Sequence, residues 1–311
     1  MKTIDLYRQG GNLTRGHAPL LLPDSWEDLS YKEIIFTFGI LAELFAGTLT
    51  PEIARLKMLI EYTGYRPSWI QLIKEAFKKD TEQREIINFN LLKLSEELNF
   101  AFTVEENRII PNHKFKKNPI SKIRICLRRF SSRIFETDTL CRTNITAREF
   151  SDCFDIFASM QGEIADADRF DYINQICAIL FPRYDDYTKN LVSGHHWKMR
   201  YVHPTIKFGV IFWFTGIVKY YTEHPVYGLL FKSEKHADES GAKIHLGMNE
   251  IVLTLKKEGY GSPETMNLND YFDAQIKFLK DMINRALAEG VKADDITKKT
   301  GVPASTIQKL S

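Results

Sequence analysis

Asp28-Leu29-Ser30-Tyr31-Lys32-Glu33-Ile34 and Asn144-Ile145-Thr146-Ala147-Arg148-Glu149-Phe150 decide the fold. Each reads Asx-aliphatic-hydroxyl-x-basic-Glu-apolar, and the two lie 116 positions apart. Ser-x-x-Glu and Thr-x-x-Glu are capping boxes, in which the hydroxyl takes one free amide at a helix start and the glutamate takes another. Each stretch therefore opens a helix. The correspondence continues as Phe38 with Phe154, Ile40 with Ile156, Leu41 with Phe157, Ala42 with Ala158 and Leu44 with Met160. Two explanations fit: chance convergence of two well-capped amphipathic helices, or a pair of related helical modules.

The flanking sequence reads as a mainly α chain with two helical modules, separated by a small β-hairpin and a basic insert. Residues 1–22 read as an irregular leader broken by Gly10, Gly11 and Gly16. The first module takes 23–99. Pro51 suits a first helical position and Gly64 a stop, so a helix is expected from Pro51 to Tyr62. Further helices are expected from Ser68 to Lys79 and from Glu82 to Leu98. The insert takes 100–140. Within it, Phe100 to Val104 and Arg108 to Ile110 flank a Glu105-Glu106-Asn107 turn, which predicts a hairpin.

The second module takes 141–290. Its helices are expected from Thr146 to Met160, from Asp166 or Asp168 to before Pro182, from Pro204 to Tyr221, from Asn249 to Glu258 and from Leu268 to Glu289, with 232–244 a loop. A C-terminal helical hairpin takes 291–311.

Composition narrows the class of protein. The 311 residues are 44% hydrophobic and 26% charged, which excludes a disordered or low-complexity chain. A formal net charge of +2 gives no global field that would select nucleic acid or membrane. The start, Met1 to Asp5, shows no secretory pattern. The most apolar run, Phe208 to Val218, is shorter than the ~20 residues a membrane span needs and reads as a buried helix. Cys126, Cys141, Cys153 and Cys177 have no Cys-x-x-Cys spacing and read as buried, reduced thiols.

Catalytic motifs are sparse. There is no P-loop and no Gly-x-Ser-x-Gly. Gly259-Tyr260-Gly261-Ser262-Pro263 is a turn signal with no preceding strand. His195, His196 and His203 form the only histidine cluster, but their spacing is not that of a zinc site. Asp185-Asp186 lacks a partner acid. No enzyme, metal or cofactor is expected.

The strongest charge feature is Lys114, Lys116, Lys117, Lys122, Arg124, Arg128, Arg129 and Arg133, a stretch with no acidic residue. Phe115, Phe130 and Phe135 interleave with or flank these cations, as in single-strand binders. Ile120, Ile123, Ile125 and Leu127 also interleave, as in a half-buried element with a solvated basic face. Acids from Glu149 to Asp171 stand ready to complement the stretch within the chain or between copies.

The tail, Ala293 to Leu310, resembles a helix-turn-helix. Gly301 makes the turn, and Ile296, Ile307 and Leu310 face inward. Ser305, Thr306, Gln308 and Lys309 project outward, and Tyr271 to Ala288 supplies the supporting third helix. Thr297 stands where such motifs usually carry a small residue.

One further layout spans roughly residues 20 to 285. Pro23-Asp24-Ser25-Trp26-Glu27-Asp28-Leu29-Ser30 leads into a helix, and Asn144 to Phe150 opens the second half. Ile179-Leu180-Phe181-Pro182-Arg183 ends a helix, and Phe208 to Phe214 precedes Val226-Tyr227-Gly228-Leu229-Leu230-Phe231. The order resembles that of uncharacterised helical proteins encoded in tail-assembly regions of tailed phages and prophages. The resemblance implies a non-enzymatic structural, assembly or chaperone-like role through helix faces. Its partners would be other assembly or virion proteins, and its location the host cytoplasm or the virion. The alternative expectation is DNA binding by the tail, assisted by the basic stretch. No membrane partner is expected.

Overall fold

The computed structural model describes residues 2–4, 20–64, 92–137, 141–183, 187, 192, 194, 196–236, 262–300 and 307. The chain is mainly helical, with short antiparallel hairpins. It divides into two compact units, one of Met1–Phe115 with His203–Gly209, the other of Lys116–Val202 with Val210–Ser311.

In the first unit, β1 (Lys2–Ile4) pairs antiparallel with β2 (Leu20–Leu22), so the leader is not wholly irregular. The Leu20-Leu21-Leu22 run before Pro23 supplies a strand that the flanking glycines hid. Ser30 then caps α1 (Tyr31–Phe45) with both bonds of the box in place. Thr50 caps α2 (Pro51–Thr63), with Pro51 at its start and Gly64 closing it at φ 62°, a conformation glycine adopts without strain. β3 (Phe102–Glu105) and β4 (Arg108–Pro111) pair as expected, through Glu106 and Asn107, both at positive φ.

Trp26 gathers the core of this unit. Its ring stacks on Phe38 at 5.4 Å and meets Phe115 at 4.8 Å and Phe100 at 5.5 Å. Its indole N–H donates to the Asn112 carbonyl at 3.1 Å, which removes the penalty of burying it. Tyr62 reaches Thr37 Oγ1 at 2.6 Å. Thr37 gives its own proton to the Glu33 carbonyl, so Tyr62 is the donor in that pair.

The second unit holds β5 (Lys122–Ile125) with β6 (Arg128–Ser131), and β7 (Phe135–Glu136) with β8 (Arg142–Thr143). Its helices are α3 (Ala147–Ser159), α4 (Asp166–Leu180), α5 (Pro204–Glu223) from Val210 on, α6 (Leu268–Ala288) and α7 (Ala293–Thr300). Val210, Trp213, Phe214 and Ile217 of α5 are buried, in keeping with the apolar run. No helix among the described residues is long and apolar enough to cross a membrane. Tyr227–His236 is a 3-10 helix where a loop from 232 was expected. A Cβ on Gly228 would lie 2.5 Å from the Thr222 carbonyl, so glycine permits this close return of the chain. The helices expected at Ser68 to Lys79 and Asn249 to Glu258, and most of that at Glu82 to Leu98, lie outside the described residues.

The two capping boxes differ in their surroundings. Glu33 borders solvent, whereas Glu149 is fully buried. One Glu149 oxygen accepts from the Thr146 amide at 2.9 Å. The other accepts from Arg133 Nε at 2.9 Å and Nη2 at 2.5 Å. The next amides of α3 are also taken, Ala147 by the Met266 carbonyl at 3.0 Å and Arg148 by that of Pro263 at 3.1 Å. Glu33→Gln is expected to cost at most about 1 kcal/mol, as an exposed cap does. Glu149→Gln strands a buried guanidinium and is expected to cost about 3–5 kcal/mol. Urea denaturation of both variants checks this, and equal losses would contradict it.

Candidate functional site

The sequence Lys-Ile-Arg-Ile of β5 alternates, so it sends one set of side chains inward and the other outward. Ile123 pairs with Phe130 and both are buried, as is Ile125. Lys122, Arg124, Arg128 and Arg129 are exposed. Arg124 and Arg129 are direct cross-strand partners. Opposed positions place Cβ atoms about 5 Å apart, and like charges there repel. The strands join through Cys126 and Leu127 alone. Cys126 has φ 53°, an uncommon conformation for a residue with a Cβ, and its carbonyl accepts from Arg124 Nε at 3.1 Å. Leu127 is 91% exposed at the tip.

The basic residues separate by place. Lys114 is exposed in the first unit, beyond β4. Lys116 and Lys117 are exposed in the second, before the hairpin. Arg133 does not belong to any contact surface: it is buried against Glu149. Phe115, Phe130 and Phe135 are buried too and cannot stack on a ligand. Inward alternation claims Phe130, and the Trp26 and Tyr220 rings meet Phe115 and Phe135 within their respective units.

Exposed aromatics come instead from another segment. The 3-10 turn His196–Tyr201 packs beside β5 and α4. It buries Met199 and leaves Trp197 47% and Tyr201 60% exposed. Arg200 lies 5.6 Å from the Trp197 ring centroid and 4.7 Å from that of Tyr201, and Lys198 lies 5.4 Å from Trp197. The Trp197-Lys198-Met199-Arg200-Tyr201 sequence carries this pattern openly. What it lacks is any sign that it folds beside β5.

A second polar cluster lies inside the unit. Tyr187 donates to Asp152 Oδ2 at 2.6 Å, and Arg148 pairs with Oδ1 at 3.2 Å. Burial raises the Tyr187 hydroxyl, and the Asp152 charge adds to it. Burial likewise raises the Cys153 thiol, reinforced by Glu149 and Asp152. A thiol so placed stays protonated and is a poor nucleophile. Burial also raises Glu149, against the pull of Arg133. The cluster ties Tyr187 and Arg148 to the two oxygens of Asp152.

At the tail, Ile296 and Ile307 are buried with Ile283 of α6, as the helix-turn-helix reading requires. Ser305, Thr306, Gln308 and Lys309 lie outside the described residues, as do His195, Asp185 and Asp186. Among the described residues no group of three or more His, Cys, Asp and Glu side chains could hold a metal ion. No protein-family model, no curated protein and no solved structure matches the chain.

The thiols also separate. Cys153 and Cys177 are buried and Cys141 partly so, but Cys126 is exposed at the hairpin tip, contrary to the expectation of four buried thiols. Ellman's reagent added to the native protein is expected to titrate Cys126 first, with Cys153 and Cys177 reacting only on unfolding. Cys126→Ser should abolish that first phase. A fast phase that survives the substitution would contradict the placement.

Proposed function

We propose that this chain is a non-enzymatic assembly protein, of the kind encoded beside phage tail genes, that docks through exposed apolar helix faces. The observation that carries this reading is on α2. Ile53 and Ile60 lie seven residues apart, two helical turns, and so share one stripe. They are 46% and 37% exposed, while Ala54, Met58 and Leu59 fill the core on the other side. Apolar residues repeated on an outer helix face suit a partner helix laid along it.

A second reading, DNA binding by the tail, is supported by the Ile283, Ile296 and Ile307 cluster, because a short helix pair needs a third helix for a core. It concerns the second unit and does not compete for α2.

Burying an exposed isoleucine completely is worth about 1.5–3 kcal/mol. With 46% and 37% of Ile53 and Ile60 left to cover, the two anchors are together worth about 1.2–2.5 kcal/mol, roughly ten- to seventyfold in affinity. Co-expression with the products of neighbouring genes is expected to recover a virion structural protein with the wild type. Ile53→Glu with Ile60→Glu should lose it while keeping the wild-type circular dichroism and melting temperature. Recovery of no tail product by the wild type, or equal recovery by the double variant, would overturn the proposal.

A further inference from the structure

The geometry points to a single-stranded nucleic-acid site on the second unit, formed by the β5–β6 hairpin and the His196–Tyr201 turn. This goes beyond the assembly role and does not rest on it. Binding a single strand without sequence preference needs cations that follow the phosphates and aromatic rings on which bases stack. The hairpin supplies Lys122, Arg124, Arg128 and Arg129, all exposed. The adjoining turn supplies Trp197 and Tyr201, with Arg200 lying over both rings and Lys198 over the indole. Arg200 also donates to the Tyr201 hydroxyl at 2.6 Å, which holds the two side chains together. The exposure of both rings leaves area for a base.

Three features select this ligand. Arg124 and Arg129 oppose each other in register, and a phosphodiester between them would turn repulsion into paired, charge-assisted hydrogen bonds. The two aromatic rings give a π-surface that an acidic protein segment would not need. A lipid surface would need apolar residues to insert, and the hairpin offers only Leu127 outward, since Ile123, Ile125 and Phe130 face the core. Asp171 stands near the platform, its carboxylate 3.4 Å from His196 Nε2.

The test uses the full chain, a labelled oligothymidine of about 20 nucleotides, long enough for a site of ~4–16 nucleotides, the matching duplex, and vesicles of phosphatidylserine. Anisotropy is expected to show single-strand binding that weakens steeply with salt, with Trp197 emission quenched. Trp197→Ala with Tyr201→Ala should weaken it by about 5- to 150-fold per stacked base. Arg124→Ser with Arg129→Ser should lower the log–log salt slope by about 1.4, the release expected from two phosphates on a single strand. Ile53→Glu with Ile60→Glu should leave it unchanged, which separates this site from the assembly surface. No binding, binding indifferent to both hairpin and ring substitutions, tighter duplex than single-strand binding, or a preference for the vesicles would each overturn the proposal.

Discussion

The bond from Arg133 to Glu149 is the constraint on which the second unit depends. Arg133 follows the basic hairpin by two residues and Glu149 lies in the first turn of α3, so one buried ion pair ties the segment after the hairpin to the start of a core helix. The Arg133 amide also donates to the Leu180 carbonyl at 2.8 Å, which adds the end of α4 to the same point. The Met266 and Pro263 carbonyls bring in the segment leading to α6. Phe150, the next residue along, meets Phe214, Tyr221 and Phe272 at 5.9 Å each. Such a pair adds little net stability, because desolvation offsets attraction. What it enforces is arrangement: any fold that separates the partners leaves a charge buried alone.

Local rules made much of the fold legible. A capping box is complete within four residues, so Ser30 and Thr146 announced their helices without help from distant chain. Pro51 and Gly64 bracketed α2 for the same reason. The apolar run of α5 and the inward Ile296 and Ile307 followed from periodicity. The strands β1, β2, β7 and β8 were not legible, because two or three residues carry no period and their pairing is set by contacts elsewhere. The candidate site was half legible. Its cations stood out as a run, yet Arg133 was indistinguishable from its neighbours until its partner sixteen residues away was known. Trp197 and Tyr201 were invisible as part of the site because proximity to β5 is a tertiary fact.

The likeness between the two halves is best judged on their helices. Ile34 and Phe150 are both buried, as are Thr37 and Cys153, so the stripes start in the same phase. They then diverge: Phe38 is buried where Phe154 is half-exposed, and Leu41 where Phe157 is. Shared capping chemistry accounts for the first turn, since a capping box fixes where a helix begins and not what it packs on. Beyond Thr37 and Cys153 each helix answers to its own unit.

The hairpin between Lys122 and Ser131 concentrates local costs. Two arginines face each other across the strands, Cys126 holds a positive φ, and Leu127 stands almost wholly in water. A glycine at 126, an acid at 129 and a polar residue at 127 would each relieve one of these. None contributes to the core, which is built from the opposite face. These unfavourable choices gather on one exposed element, just before the buried Arg133–Glu149 pair. An anion held between Arg124 and Arg129 would relieve their repulsion, so the residues that weaken the free hairpin would strengthen such a complex.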